Sequence, residues 1–221
     1  ESFAEIARET PSVSDAELQA AAQDPSSRKN LLTLACGGAR SIPFLRTALK
    51  SNPTPDKAKA LCLLGDSAGV PVLAQQVKRL PLPPAEDYAW DGFLKVSEFD
   101  GAAWCLAIPR DRRATAVLIE RLAQCDAATG FSTVRSLTGA LKRLKDPQAA
   151  PALVAFLKKP GVQGHDNAGT DKAGTQAAQF SKAMIELFAA SALYACGDSD
   201  NLGRTILERY LDDWRGIFVR Y

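Results

Sequence analysis

One short pattern returns five times along the chain, always in the same register. Each copy begins with a small or acidic residue, and apolar residues follow seven and eleven positions later. The copies, each given as start, first and second apolar residue, are Gly38, Leu45, Leu49; Asp66, Leu73, Val77; Asp111, Leu118, Leu122; Asp146, Leu153, Leu157; and Asp200, Leu207, Leu211. Repetition at a fixed register is typical of a stacked array of similar units. The pattern therefore predicts that Leu73, Leu118, Leu153 and Leu207 are buried.

Each start residue lies between two segments with helical periodicity. After Asp66, for example, apolar residues at 70, 73 and 77 form one helical stripe. An earlier helix is expected over 15–23, where Ser14 and Glu17 form a capping box. The predicted helical pairs are 27–36 with 39–51, 57–65 with 70–80, 99–108 with 112–125, 130–145 with 147–159, and 178–196 with 201–213.

Unequal spacing between the starts indicates insertions. Successive starts are 28, 45, 35 and 54 residues apart, and the shortest interval holds one bare helical pair. The longer intervals place insertions near 81–98 and 160–176. The chain is thus expected to form a single domain over 1–221, with an N-terminal helix and about five helical pairs. The fold class predicted is all-α, a right-handed α-α superhelix.

Composition and charge restrict the function classes. The net charge is +2 and 46% of the residues are apolar, so neither nucleic acid nor an anionic membrane is a favoured partner. No apolar run approaches the ~20 residues of a membrane span. The sequence starts at Glu1 rather than Met, which favours a mature form or an excised domain and leaves the compartment open.

The cysteines indicate core positions rather than a redox or metal centre. Their number is odd and their spacing is wide, which is unlike a disulfide scaffold or a paired CxxC site. Most lie near the ends of apolar helical segments, where thiols behave as small buried hydrophobes. We expect reduced and mostly buried side chains at Cys36, Cys62, Cys105, Cys125 and Cys196.

Two stretches carry a family resemblance. The sequences GDSAGVPVLAQQVK at 65–78 and KDPQAAPALVAFLKK at 145–159 resemble the short HEAT-like repeats of phycobilin lyases. This resemblance covers about 27–213 and implies a helical-repeat fold. The tail at 193–221 is similar to the C-terminal helical region of some bacterial FAD-dependent oxidoreductases. That similarity implies an accessory domain, because the chain has no GxGxxG motif for a flavin domain.

The insertion at 81–98 contains the densest aromatic stretch of the chain. Tyr88, Trp90 and Phe93 stand among acidic residues, and Trp104 follows in the next helical segment. Tryptophan and tyrosine dominate binding hot spots, so these four residues are the candidate partner contacts. The alternative is that the rings fold back and seal the groove between neighbouring repeats.

Two further features have structural explanations. His165, the single histidine, lies in a glycine-rich stretch at 162–173 that is expected to be a mobile loop rather than a ligand site. Basic residues recur at the ends of the second helices. They suit the negative end of the helix dipole without any ligand. They are Lys50, Lys78, Arg79, Lys158 and Lys159.

These observations favour a non-catalytic interaction or scaffolding module with a protein partner or a neighbouring domain. No catalytic residue, metal ligand or cofactor is assigned. The alternative is an enzyme of HEAT-like fold. A bilin lyase would need a tetrapyrrole pocket, for which the aromatic residues at 88–104 are the one hint. A DNA glycosylase would need a basic face, which the net charge of +2 does not favour.

Overall fold

The computed structural model describes residues 13–83, 97–164 and 173–212, and at 173–181 and 212 it describes the backbone only. In these residues the regular structure is helical, which confirms the all-α prediction. The α-helices are α1 (Asp15–Gln23), α2 (Arg28–Gly37), α3 (Ile42–Ser51), α4 (Pro55–Leu63), α5 (Val70–Arg79), α6 (Glu98–Leu106), α7 (Thr115–Ala123), α8 (Phe131–Leu144), α9 (Ala150–Leu157), α10 (Ala173–Gly197) and α11 (Leu202–Asp212).

An aspartate begins the second helix of three successive pairs. Asp66, Asp111 and Asp146 each accept a backbone N–H two residues ahead, at 2.9, 2.9 and 3.1 Å. Each thereby caps a short 3-10 turn that leads into α5, α7 or α9. The residue before each aspartate has positive φ, including the non-glycine residues Arg110 and Lys145. The chain therefore reverses between the two helices of a pair and is capped at once.

The same turns are tied to the preceding pair. Arg46 of α3 donates to Asp66 Oδ2 at 2.6 Å, and Thr115 Oγ1 of α7 donates to Asp146 Oδ2 at 2.7 Å. At the middle turn, Arg113 Nη2 donates to the Ser67 carbonyl at 3.3 Å. The carboxylates of Asp66 and Asp146 are buried, so each of them needs these hydrogen-bond partners, which join one helical pair to the next.

Helices pack on neighbours one or two places away in the chain. Each second helix contacts the first helix of the next pair, as in α3–α4, α5–α6, α7–α8 and α9–α10. Contacts also join α4 to α6, α6 to α8 and α8 to α10, and they join α5 to α7 and α7 to α9. One continuous apolar core runs through these interfaces. Contacts limited to neighbours are those expected of stacked helical pairs.

The predicted register is confirmed in four of the five copies. Leu45, Leu73, Leu118 and Leu153 are fully buried, and so is the second apolar residue of the copies that start at positions 66, 111 and 146. Three copies also carry proline at the second position of the helix, where its missing N–H leaves no bond unmade. The spacing of the repeat thus reports the true core positions of these units.

The last copy was predicted in the wrong register. Leu207 is only partly buried and Leu211 is 64% exposed, whereas Ile206 and Tyr210 are buried. In the other copies a 3-10 turn of three or four residues precedes the second helix. Here α11 begins directly at Leu202 after the turn at 198–201. The first core residue therefore comes one position earlier after the start residue than in the other copies, and the buried face of α11 is shifted by one residue.

The second insertion is shorter than predicted. Helix α10 already begins at Ala173, so the interval 160–176 includes its first turn. At the start of the loop, Val162 is buried and the Gly164 N–H donates to Glu186 at 3.4 Å. The predicted mobile loop at 162–173 falls largely on residues outside the described ranges, as does His165.

Leu153→Ala should lower the free energy of unfolding by about 2–5 kcal/mol, because it removes a fully buried side chain from α9. Leu211→Ala is the matched control, since this leucine is 64% exposed and should cost less than about 0.5 kcal/mol. Denaturant melts of both variants measure the difference. A cost below about 1 kcal/mol at Leu153 would show that the register is misassigned.

Candidate functional site

Exposed large apolar side chains are concentrated on the first helices of the pairs. Leu32 of α2, Leu63 of α4, Trp104 of α6 and Tyr194 of α10 are 56%, 46%, 46% and 62% exposed. On the second helices of the described part, Leu211 is the comparable case. Single exposed apolar residues are ordinary, but their repeated placement on the first helix, in four of the five pairs, marks a surface. We call Leu32, Leu63, Trp104 and Tyr194 the first-helix surface.

Trp104 lies over the next first helix of the stack. A Cβ atom added at Gly139 of α8 would stand 2.7 Å from Cζ3 of this indole. The glycine therefore leaves room for the ring to approach the helix backbone. Trp104 is both a packing residue and a half-exposed one. Its role as a partner contact stays a prediction.

The other three predicted contact residues cannot be placed. Tyr88, Trp90 and Phe93 lie outside the residues that the structure describes. The flanks of this insertion are fixed by Arg121 of α7, which donates to the Leu80 carbonyl at 2.7 Å. Its guanidinium also stacks on Phe99 at 5.1 Å from the ring centroid. The sequence analysis assigned no role to Arg121, although this residue follows the core residue Leu118 by three positions and so lies on the same face of α7.

An apolar groove separates α2 from α4. It has a volume of about 390 Å³ and opens to solvent. Two members of the first-helix surface, Leu32 and Leu63, belong to its walls. The residues that line it are Arg28, Leu31, Leu32, Leu34, Ala35, Ala60, Leu63 and Leu64. Sequence periodicity contains no signal for this groove, because the groove depends on the separation of two helices rather than on either helix alone.

Two of the five basic residues at second-helix ends form bonds to another helical pair. Lys78 pairs with Glu120 at 3.0 Å. Lys159 donates to the Ala123 carbonyl at 2.6 Å and also to the carbonyl of Cys125. These bonds join α5 to α7 and the end of α9 to the end of α7. Lys78 and Lys159 therefore contribute to packing between neighbouring pairs.

A fully buried carboxylate joins the last two helices. Glu186 of α10 accepts a hydrogen bond from the Tyr210 hydroxyl at 2.7 Å and pairs with Arg209 of α11. Burial and the nearby carboxylate raise the pKa of the Tyr210 hydroxyl, so this group remains a hydrogen-bond donor at neutral pH. The cluster fastens α11 to α10 and to the loop at Gly164.

The thiols follow the prediction with one exception. Cys62, Cys105, Cys125 and Cys196 are buried and unpaired, whereas Cys36 is exposed. Burial raises the pKa of Cys62 to about 12 and those of Cys125 and Cys196 to about 11. Cys36 lies on α2, the outermost first helix of the described part, where no earlier pair covers the same face.

The comparisons with known proteins give no family assignment. No protein-family model matches the chain, and no characterised protein or solved structure matches it either. Within the described ranges, no group of three or more His, Cys, Asp or Glu side chains is placed to hold a metal ion. No helix in that part of the chain is long and apolar enough to cross a bilayer.

Cys36 should be the one thiol among these five that reacts quickly with an aromatic disulfide reagent at about pH 8. The other four are buried and have few thiolates, since burial raises their pKa. Five thiols should react after unfolding in denaturant without reductant. Rapid reaction of several thiols in the native protein, or fewer than five in the unfolded one, would contradict this packing.

The effect of Gly139→Ala on stability should depend on whether the Trp104 ring is present. Alanine normally stabilises a helix interior by about 1 kcal/mol relative to glycine. Here its methyl group meets the indole, so the gain should appear in full only in the Trp104→Ala background. Thermal melts of the two single variants and the double variant measure this coupling. An equal gain in both backgrounds would show that the ring does not lie over Gly139.

Proposed function

We propose that this chain is a HEAT-like interaction module that binds a protein partner or a neighbouring domain through its first-helix surface. Its helical pairs would continue into a right-handed α-α superhelix, with the first helices along one side. The observation that carries the proposal is the placement of Leu32, Leu63, Trp104 and Tyr194 on the first helices of four of the five pairs, α8 being the exception. A surface of this kind, repeated from pair to pair, suits an extended partner.

The polar groups of the stack support a scaffolding role. The bonds of Asp66 and Asp146 to the preceding pairs, and the Glu186 cluster, hold helices at fixed spacing. A rigid frame of this type presents its exposed side chains in constant positions, which lowers the entropy lost on binding. The resemblance of the tail at 193–221 supports a more specific context, that of a C-terminal module in a larger FAD-dependent oxidoreductase.

Photocrosslinking in the cells that produce the intact protein tests this proposal. A benzophenone amino acid is placed at Trp104 or Tyr194 on the first-helix surface, and at Lys50 or Leu211 as exposed second-helix controls. We expect a discrete crosslinked product from the two first-helix positions and little from the controls. A partner domain of the same polypeptide would appear as an internal crosslink in peptide mapping.

Two outcomes would contradict the proposal. One is equal crosslinking from all four positions, which indicates random collision. The other is a discrete product from Lys50 or Leu211 but not from Trp104 or Tyr194, which places the partner on the second helices. Melting curves of each labelled variant check that the substituted residue has not altered the fold.

A further inference from the structure

The groove between α2 and α4 combines leucines with unpaired cations in a repeated arrangement. Arg28 stands four residues before Leu32 on α2, and Lys59 stands four residues before Leu63 on α4. Residues four apart share one face of a helix. Arg28 lines the groove itself, and Lys59 lies one turn before the groove residue Leu63 on α4.

Neither cation has an ion-pair partner among the described residues. The ion pairs of that part of the chain involve other basic residues, namely Arg40, Arg46, Lys78, Arg113, Arg204 and Arg209. Arg28 on the groove wall and Lys59 near it thus have no carboxylate within ion-pair distance in the part of the chain that the structure describes. Opposite charge on a ligand would be attracted to this rim.

The groove also interrupts the regular packing of first helices. The pairs α4–α6, α6–α8 and α8–α10 are in close contact, whereas α2 and α4 are packed less closely and leave the groove between them. Helix α2 has ten residues, and therefore a length of about 15 Å. A groove between two helices of this length matches about three turns of a third helix.

We propose that this groove binds an amphipathic helix of the partner, with leucine-like residues on one face and carboxylates beside them. The inference rests on the proposed interaction function and names the chemistry of what is bound. The apolar face of the ligand would cover Leu32 and Leu63, with anchors at i, i+3 or i+4, and i+7. Its carboxylates would approach Arg28 and Lys59.

A fluorescein-labelled synthetic helix tests this with the whole chain. The probe has leucines at i, i+3, i+4 and i+7 and glutamates on its flanks, and the matched control probe has lysines in place of the glutamates. Anisotropy titrations give the two affinities. We expect the glutamate probe to bind at least about tenfold more tightly than the lysine probe, since the rim of the groove is positive.

Variants of the chain locate the binding site. Leu63→Asp should weaken binding of the glutamate probe by at least about tenfold, whereas Leu211→Asp, an exposed leucine on α11, should leave it unchanged. Lys59→Glu changes no core residue and should narrow or reverse the preference between the two probes. The bound probe should also slow modification of Cys36, which lies four residues after Leu32.

Equal affinities for the two probes, or equal effects of Leu63→Asp and Leu211→Asp, would overturn the proposal. Two other ligands of the groove would give different results, and either result would mean that the groove does not bind a partner helix. Removal of residues 1–12 would raise probe affinity if this segment fills the groove, and sedimentation would show a Leu63-dependent dimer if a second copy does. If the probe titrations contradict the groove proposal but crosslinking at Trp104 is retained, the proposed interaction function is not affected.

Discussion

The stack depends on a buried aspartate that serves two helical pairs at once. At Asp66 and Asp146 one carboxylate oxygen caps the turn of its own pair, and the other accepts a bond from the second helix of the pair before. Buried carboxylates are costly unless their oxygens are satisfied, so this position strongly favours one arrangement of the two pairs. The position of this aspartate therefore determines the register of α5 and α9, and with it which leucines of these helices lie in the core.

This dependence explains how far the sequence predicts the fold. Where an aspartate starts a 3-10 turn, the distance to the first core leucine is constant, and Leu73, Leu118 and Leu153 are buried as predicted. At Asp200 the same count fails, because α11 begins without that turn and the core residues become Ile206 and Tyr210. The pattern of residue types is similar in both cases, and local turn geometry alone distinguishes them.

The candidate site was predictable only in part, for a related reason. Trp104 is recognisable in the sequence as a large aromatic residue, and it is half-exposed in the structure. The groove walls formed by Leu32 and Leu63 look like ordinary core leucines in the sequence. Their exposure arises because α2 and α4 lie apart, a property of two helices and their packing. Cys36 was also assigned to the core, and it is exposed on α2, the first helix of the first pair.

A double-mutant cycle on Asp146 and Thr115 tests the central role of the bridging aspartate most directly. The unfolding free energies of Asp146→Ala, Thr115→Val and the double variant are measured in denaturant. The hydroxyl donates to a buried carboxylate at 2.7 Å, so we expect a coupling of about 1.5–3 kcal/mol between the two sites. Additive effects, with a coupling below about 0.5 kcal/mol, would contradict the claim that this aspartate joins one helical pair to the next.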